Sequence, residues 1–202
     1  MSKSFIQFDD LYKIINNEQF DESFRSLLEL AFITGLRRAE IVRLINELRK
    51  DKYAQVISFK GKRNITIDVP LNTKHFELVN KINNNWANGS SLAKQVQRWN
   101  IKYDLNIELH SIRRLSATTI DKNLDVRHAQ SLLNHKDLAT TELYIHESNK
   151  MNRKIHAMNL LEKSLQDGTT NITTYNELKL RNTFLEKENE ELRKRIYEVD
   201  KK

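Results

Sequence analysis

The chain has no cysteine among its 202 residues. That excludes thiol nucleophiles, disulfide frameworks and cysteine-ligated zinc, and leaves the redox compartment open. One proline and four glycines are too few for a turn-rich all-β fold and favour long helices. No apolar run approaches the roughly 20 residues of a bilayer span, so no membrane partner is expected. The opening stretch MSKSFIQFDDLYKII lacks both a continuous apolar segment and a small-residue cleavage site. Secretion is therefore not expected. The expected location is cytoplasmic and nucleoid-associated, or the host cytoplasm for a viral protein.

An acidic excess is also missing: the formal net charge is +7. From Gln166 onward eight basic residues balance eight acidic ones, so the whole excess precedes that position. A basic body with a charge-balanced tail suits a polyanionic partner. The length allows one domain with a proper core plus an appendage.

The expected fold class is mainly α with a small antiparallel β-hairpin sheet (α+β), followed by a C-terminal coiled-coil helix. Asp21 can cap a helix with Phe24, Leu27, Leu28 and Ala31 on one face, ending near Thr34-Gly35. A second helix starts close to Arg37 and carries Ile41, Val42 and Leu44. The clear strand signal is YAQVISFKGKRNITIDVP, in which Ile65, Ile67 and Val69 alternate with Thr66 and Asp68. Val56, Ser58 and their neighbours form its partner across a KGKRN turn, and Pro70 ends the ladder for want of an amide hydrogen. NNNWANGSS reads as a polar loop before a helix through Leu92, Val96 and Trp99. Further helices begin at HSIRR and at LATTELYIH, and DGTTNITT reads as a linker. The expected division is a domain over 1–165, a polar linker over 166–174 and a coiled coil over 175–202.

The tail repeats every seven residues. Leu178, Leu185, Leu192 and Val199 share one core position, and Tyr175, Asn182, Asn189 and Ile196 the other. In a parallel dimer Arg181 faces Glu186, Glu188 faces Arg193, and Arg195 faces Asp200. Core asparagines fix register and two-strandedness at some cost in stability. A homodimer is the expected outcome.

The chemistry concentrates in HSIRRLSATTI and LLNHKDLATTELYIH, which supply His110, Arg113, His135 and Tyr144. A set of imidazoles, a guanidinium and a phenol, with no acidic cluster, suits attack on a phosphodiester without a metal. Arginine and histidine donate to nonbridging oxygens as charge builds, and a tyrosine oxygen can form a covalent intermediate. Upstream, TGLRRAEI adds Arg37 and Glu40, which share a helix face so that the carboxylate can orient a cationic neighbour. The hairpin tip carries Lys60 and Lys62. Taken singly, each of these residues is an ordinary surface or core side chain. Their joint order is specific.

The order Arg, Glu, hairpin Lys, H-x-x-R, His, Tyr resembles the tyrosine recombinase (phage integrase) family over about the first 160 residues. TGLRRAEI is similar to that family's first arginine box, HSIRRLSATTI to its H-x-x-R box, and LLNHKDLATTELYIH to its second-histidine and nucleophile box. The resemblance implies the family's catalytic-domain fold and a site-specific DNA recombinase working through a 3′-phosphotyrosine. Tyr144 would be the nucleophile. Arg37 and Arg113 would clamp the scissile phosphate, with His135 hydrogen-bonding it. His110 would assist proton transfer and Glu40 would order the arginines. Lys62, or else Lys60, would protonate the leaving 5′ oxygen. Lys60, Arg38 and Arg114 are expected to contact DNA.

The bond energy is kept in the protein link, so neither cofactor nor metal is expected. The expected partners are double-stranded DNA and further copies of the chain, as a coiled-coil dimer and a tetramer on DNA. Two competing expectations are a catalytically silent DNA-binding regulator and a type IB topoisomerase-like enzyme.

Two departures from the family stand out. Asn134 occupies a position commonly held by glycine, and asparagine tolerates positive φ. Only 36 residues precede Arg37, too few for the N-terminal DNA-binding domain of typical members, so weak and salt-sensitive DNA affinity is expected.

Overall fold

The computed structural model describes residues 6–61, 64–133 and 147–170, with the backbone alone at 126 and 147–150. The chain divides into two compact units, Met1–Thr170 and Asn171–Lys202. The expected coiled coil over 175–202 lies outside the described residues, as do residues 171–174 of the stretch expected as a linker.

The first unit runs α1 (Phe8–Asn16), α2 (Glu22–Thr34), α3 (Arg38–Lys50), β1 (Val56–Lys60), β2 (Thr66–Pro70), α4 (Thr73–Lys81), α5 (Gly89–Tyr103), α6 (Leu109–Asn123), α7 (Val126–Leu133) and α8 (Glu147–Asp167). The mainly helical architecture with one small antiparallel sheet is the one expected. Among the described residues no helix is long and apolar enough to cross a membrane. The amphipathic α1 buries Phe8, Leu11, Ile14 and Ile15.

The centre of the core is α2. Asp21 caps it, accepting a hydrogen bond from the Phe24 N–H at 3.1 Å. Gly35 ends it in the left-handed conformation, φ +58°, and donates its N–H to the Ala31 carbonyl at 3.0 Å. The expected single apolar face proves too narrow, because Leu30, Phe32 and Ile33 are buried as fully as Leu27 and Leu28. The helix packs against α1, α4, α6 and α8 together, so little of its surface reaches water.

The hairpin pairs Val56 with Pro70, Ile57 with Val69 and Phe59 with Ile67. Ile57, Ile67 and Val69 point inward. Pro70 is the last rung, as its missing N–H dictates. On the other side of α2, Phe24 packs on Trp99 with ring centroids 5.0 Å apart, and Trp86 meets Trp99 edge-on. Trp86 is a core residue, although the stretch around it reads as a polar loop. The stretch 166–174 is likewise not polar linker from its start, since α8 continues through Gln166 and Asp167. A helix over Val126–Leu133, for which the sequence reading named no candidate, precedes the segment 134–146.

Candidate functional site

The site grows from the junction of α2 and α3. After the Gly35 turn, Leu36 is buried as an apolar anchor and the chain is extended at Arg37. Glu40 follows in the first turn of α3. Its Oε2 accepts the Arg37 backbone N–H at 2.8 Å, and its Oε1 accepts from Arg37 Nη1 at 3.1 Å. A carboxylate suits a helix start, where unpaired amides and the dipole favour negative charge. Glu40 is only 3% exposed, so this is no ordinary surface pair: it aims the guanidinium of Arg37, which stays half-exposed.

Arg113 lies one turn into α6 and is 4% exposed. Its Nη1 donates to the Gly35 carbonyl, and its Nη2 to the Leu133 carbonyl at 2.8 Å. Burial first, then the positive charge of Arg37, lowers its pKa to about 10, while Glu40 opposes the shift. At neutral pH it is still cationic. Two guanidiniums that repel one another are thus held near each other, with the Glu40 carboxylate bonded to Arg37 and its charge felt at Arg113. Such an arrangement stores positive potential for an anion.

His110, one turn before Arg113, is exposed. Its pKa is lowered by partial desolvation first, then by Arg114 and Arg113, with Glu108 opposing. The shift favours the neutral imidazole. A cavity of about 780 Å³ opens between the starts of α3, α5 and α6, with Arg37, Arg38, Ser90, Gln97, His110 and Arg113 in its walls.

The hairpin tip reaches the same place. A Cβ on Gly61 would stand 3.3 Å from Glu40 Oε1 and collide with Ile67, so only glycine lets the tip sit this close. Arg43 holds the Lys60 carbonyl from α3. The Lys60 ammonium donates to Thr66 Oγ1 at 2.7 Å and is not in the cavity wall. Arg114 acts on the cavity by its charge at His110.

Of the expected site residues, Arg37, Glu40, His110 and Arg113 thus come together, with Arg38 beside them. Lys62, His135 and Tyr144 lie outside the described residues, as do Asn134 and His146. Their chain neighbours are placed: Gly61 abuts Glu40, and Leu133, two residues before His135, is held by Arg113. Sequence reasoning missed the α5 wall. Its signal was available, since Ser90 and Gln97 are two helical turns apart and so share a face. The carbonyl partners of Arg113 had no such signal. Among the described residues no group of three or more histidines and carboxylates is arranged to hold a metal ion.

The profile of the phage integrase family matches residues 83–151, a stretch that takes in the positions of His110, Arg113, His135 and Tyr144. A curated relative, tyrosine recombinase XerC of Staphylococcus aureus strain USA300 / TCH1516, is 29% identical over 154 residues, covering 65% of this chain and 51% of that protein. XerC of strain MSSA476 is 28% identical over 174 residues, covering 74% and 58%. The chain thus spans about half the length of the curated relatives it matches. No solved structure matches it. The paired arginine boxes, the hairpin brought against Glu40 and these matches agree in what the chain is similar to: the tyrosine recombinase, or phage integrase, family.

Proposed function

We propose that the chain is a site-specific DNA recombinase, an integrase, invertase or resolvase. It cuts and rejoins DNA through a 3′-phosphotyrosine. The observation that carries this reading is the pairing of Arg37 and Arg113 in the wall of one cavity, with a neutral, exposed His110 beside them. A phosphodiester entering there meets two guanidinium forks, each able to engage nonbridging oxygens, where lysine would act as a point charge.

In the proposed reaction the Tyr144 phenol oxygen attacks phosphorus. A tyrosyl ester forms and the bond to the 5′ oxygen breaks. His135 hydrogen-bonds the phosphate, and His110 assists the transfer of the phenolic proton. Lys62 protonates the leaving 5′ oxygen. The cross-strand bond of Lys60 to Thr66 favours Lys62 over Lys60 for that role. Religation reverses these steps, so the ester's energy is conserved and neither metal nor nucleotide is consumed.

Arg38, Arg114 and Lys60 contribute DNA contacts, and residues 175–202 join two chains as a coiled coil, with a tetramer assembling on DNA. Two cytoplasmic catalytic units tethered in this way meet paired sites at a raised effective concentration.

A suicide substrate nicked near the cleavage point tests the proposal. The wild-type chain should give a denaturant-resistant protein–DNA adduct at one sequence, and Tyr144→Phe should give none. Absence of adduct from the wild type would make the chain a DNA-binding regulator, and adducts on any duplex a topoisomerase.

A further inference from the structure

We propose that the cavity beside His75 is a binding site for a small, neutral aromatic molecule bearing one hydrogen-bond donor, of the indole or phenol kind. The cavity lies between the hairpin, the start of α4 and α8, and shares no lining residue with the one that holds Arg37 and Arg113. The proposal does not rest on the recombinase reading.

The first support is an orphaned atom. His75 is buried, and among the described residues its Nε2 has no hydrogen-bond partner. A buried polar group left unpaired costs free energy, and such a group in a native fold needs a reason.

Its neighbours say which partner it lacks. Asn72 Nδ2 donates to Glu162 Oε1 at 2.8 Å, which turns the amide oxygen of Asn72 toward His75. That Oδ1 stands 2.6 Å from the ring Nδ1. Two lone pairs cannot face each other at that distance, so Nδ1 carries a hydrogen and donates it. The Asn72 backbone N–H also lies near Nδ1, but at 3.3 Å it is the weaker contact. Burial holds the imidazole neutral at pH 7, its pKa lowered to about 4, so Nε2 across the ring is an acceptor. The missing partner is a donor.

The walls supply the rest of the description. The cavity measures about 440 Å³, within the range of small-molecule sites. Met151, Ile155 and Met158 line it from one face of α8, opposite Val56 and Leu71. Val56 and Ile155 are two of the four large apolar side chains left exposed among the described residues, so the apolar surface continues outward. His75 is the one ionisable side chain in the wall, and a charged ligand would find no counter-charge. The two thioethers favour an aromatic ring over an aliphatic one. Because Nε2 is buried, the ligand's donor reaches it by displacing a lining side chain, and methionine yields most readily.

The test is a calorimetric titration of the full chain at pH 7 with indole and with benzofuran, which has the same shape but a ring oxygen in place of the N–H. One saturable indole per chain is expected, bound at least tenfold more tightly than benzofuran. In a chain with ¹⁵N-labelled imidazoles, indole should move the His75 Nε2 resonance and benzofuran should leave it in place. No saturable binding of indole, equal affinities, or an unmoved His75 resonance would each overturn the site. His75→Phe keeps an apolar ring and removes the acceptor, so the preference for indole should disappear; a preference that persists also overturns the proposal. That variant loses part of the α4 cap as well, so if it does not fold the wild-type resonance decides.

Discussion

The starts of α4 and α6 each carry a histidine whose pKa is lowered, chiefly by desolvation, and they differ in burial and in charged neighbours. His75 at the α4 start is 1% exposed. Burial alone drives its pKa down to about 4, against an opposing backbone hydrogen bond from Asn72. That helix start is capped, since Asn72 Oδ1 accepts the His75 N–H at 3.3 Å and Asn72 Nδ2 donates to Glu162 at 2.8 Å. The α6 start is open. Glu108 supplies no side-chain cap, His110 faces the cavity, and arginine charges reinforce its desolvation. A depressed imidazole pKa therefore does not mark a reactive site by itself. Cationic neighbours and exposure do.

The sharpest way to break the contrast is Arg113→Ala. It strips the donors from two buried carbonyls, Gly35 and Leu133, and should cost about 3–5 kcal/mol in urea unfolding. Adduct formation should vanish with it. Arg113→Lys should recover part of the stability only, because one ammonium cannot fork to both carbonyls.

The α4 start predicts the opposite pattern. The unfolded His75 titrates near 6.5 and the folded one near 4, so on acidification the unfolded state takes the proton first. The stability from keeping His75 neutral is complete above about pH 6.5 and drains away as pH falls to about 4, by about 3 kcal/mol. His75→Gln removes that loss. Its plot of stability against pH should be flatter over this window, while adduct formation at pH 7 stays at the wild-type level. Equal slopes would show that the buried imidazole is not what titrates.

The smallest expected stability effect joins the two regions. Gly35→Ala places a Cβ at φ +58° and 3.1 Å from Leu132, for about 1–2 kcal/mol by denaturation. Because the displaced carbonyl is the one Arg113 holds, adduct formation should fall further than stability does.

Much of this was legible in residue order wherever cause and effect are a few positions apart. Asp21 and Gly35 bound α2, Pro70 closes the hairpin, and Glu40 orients Arg37 three residues away, since caps and one-turn pairs act within a few residues. The burial of Trp86, α2's all-round enclosure and α5's place in the cavity wall were not legible. Those follow from which surfaces neighbouring elements cover.

The sequence by itself determined the helices, the hairpin and its last rung, and the one-turn link between Arg37 and Glu40. Only the tertiary structure decided that Arg113 is held between Gly35, 78 residues away, and Leu133, 20 residues away. It also decided that Gly61 closes on Glu40, and that one histidine is buried while another is exposed beside two arginines. Burial and long-range hydrogen bonding depend on which segments pack together, and packing leaves no periodic trace in the chain.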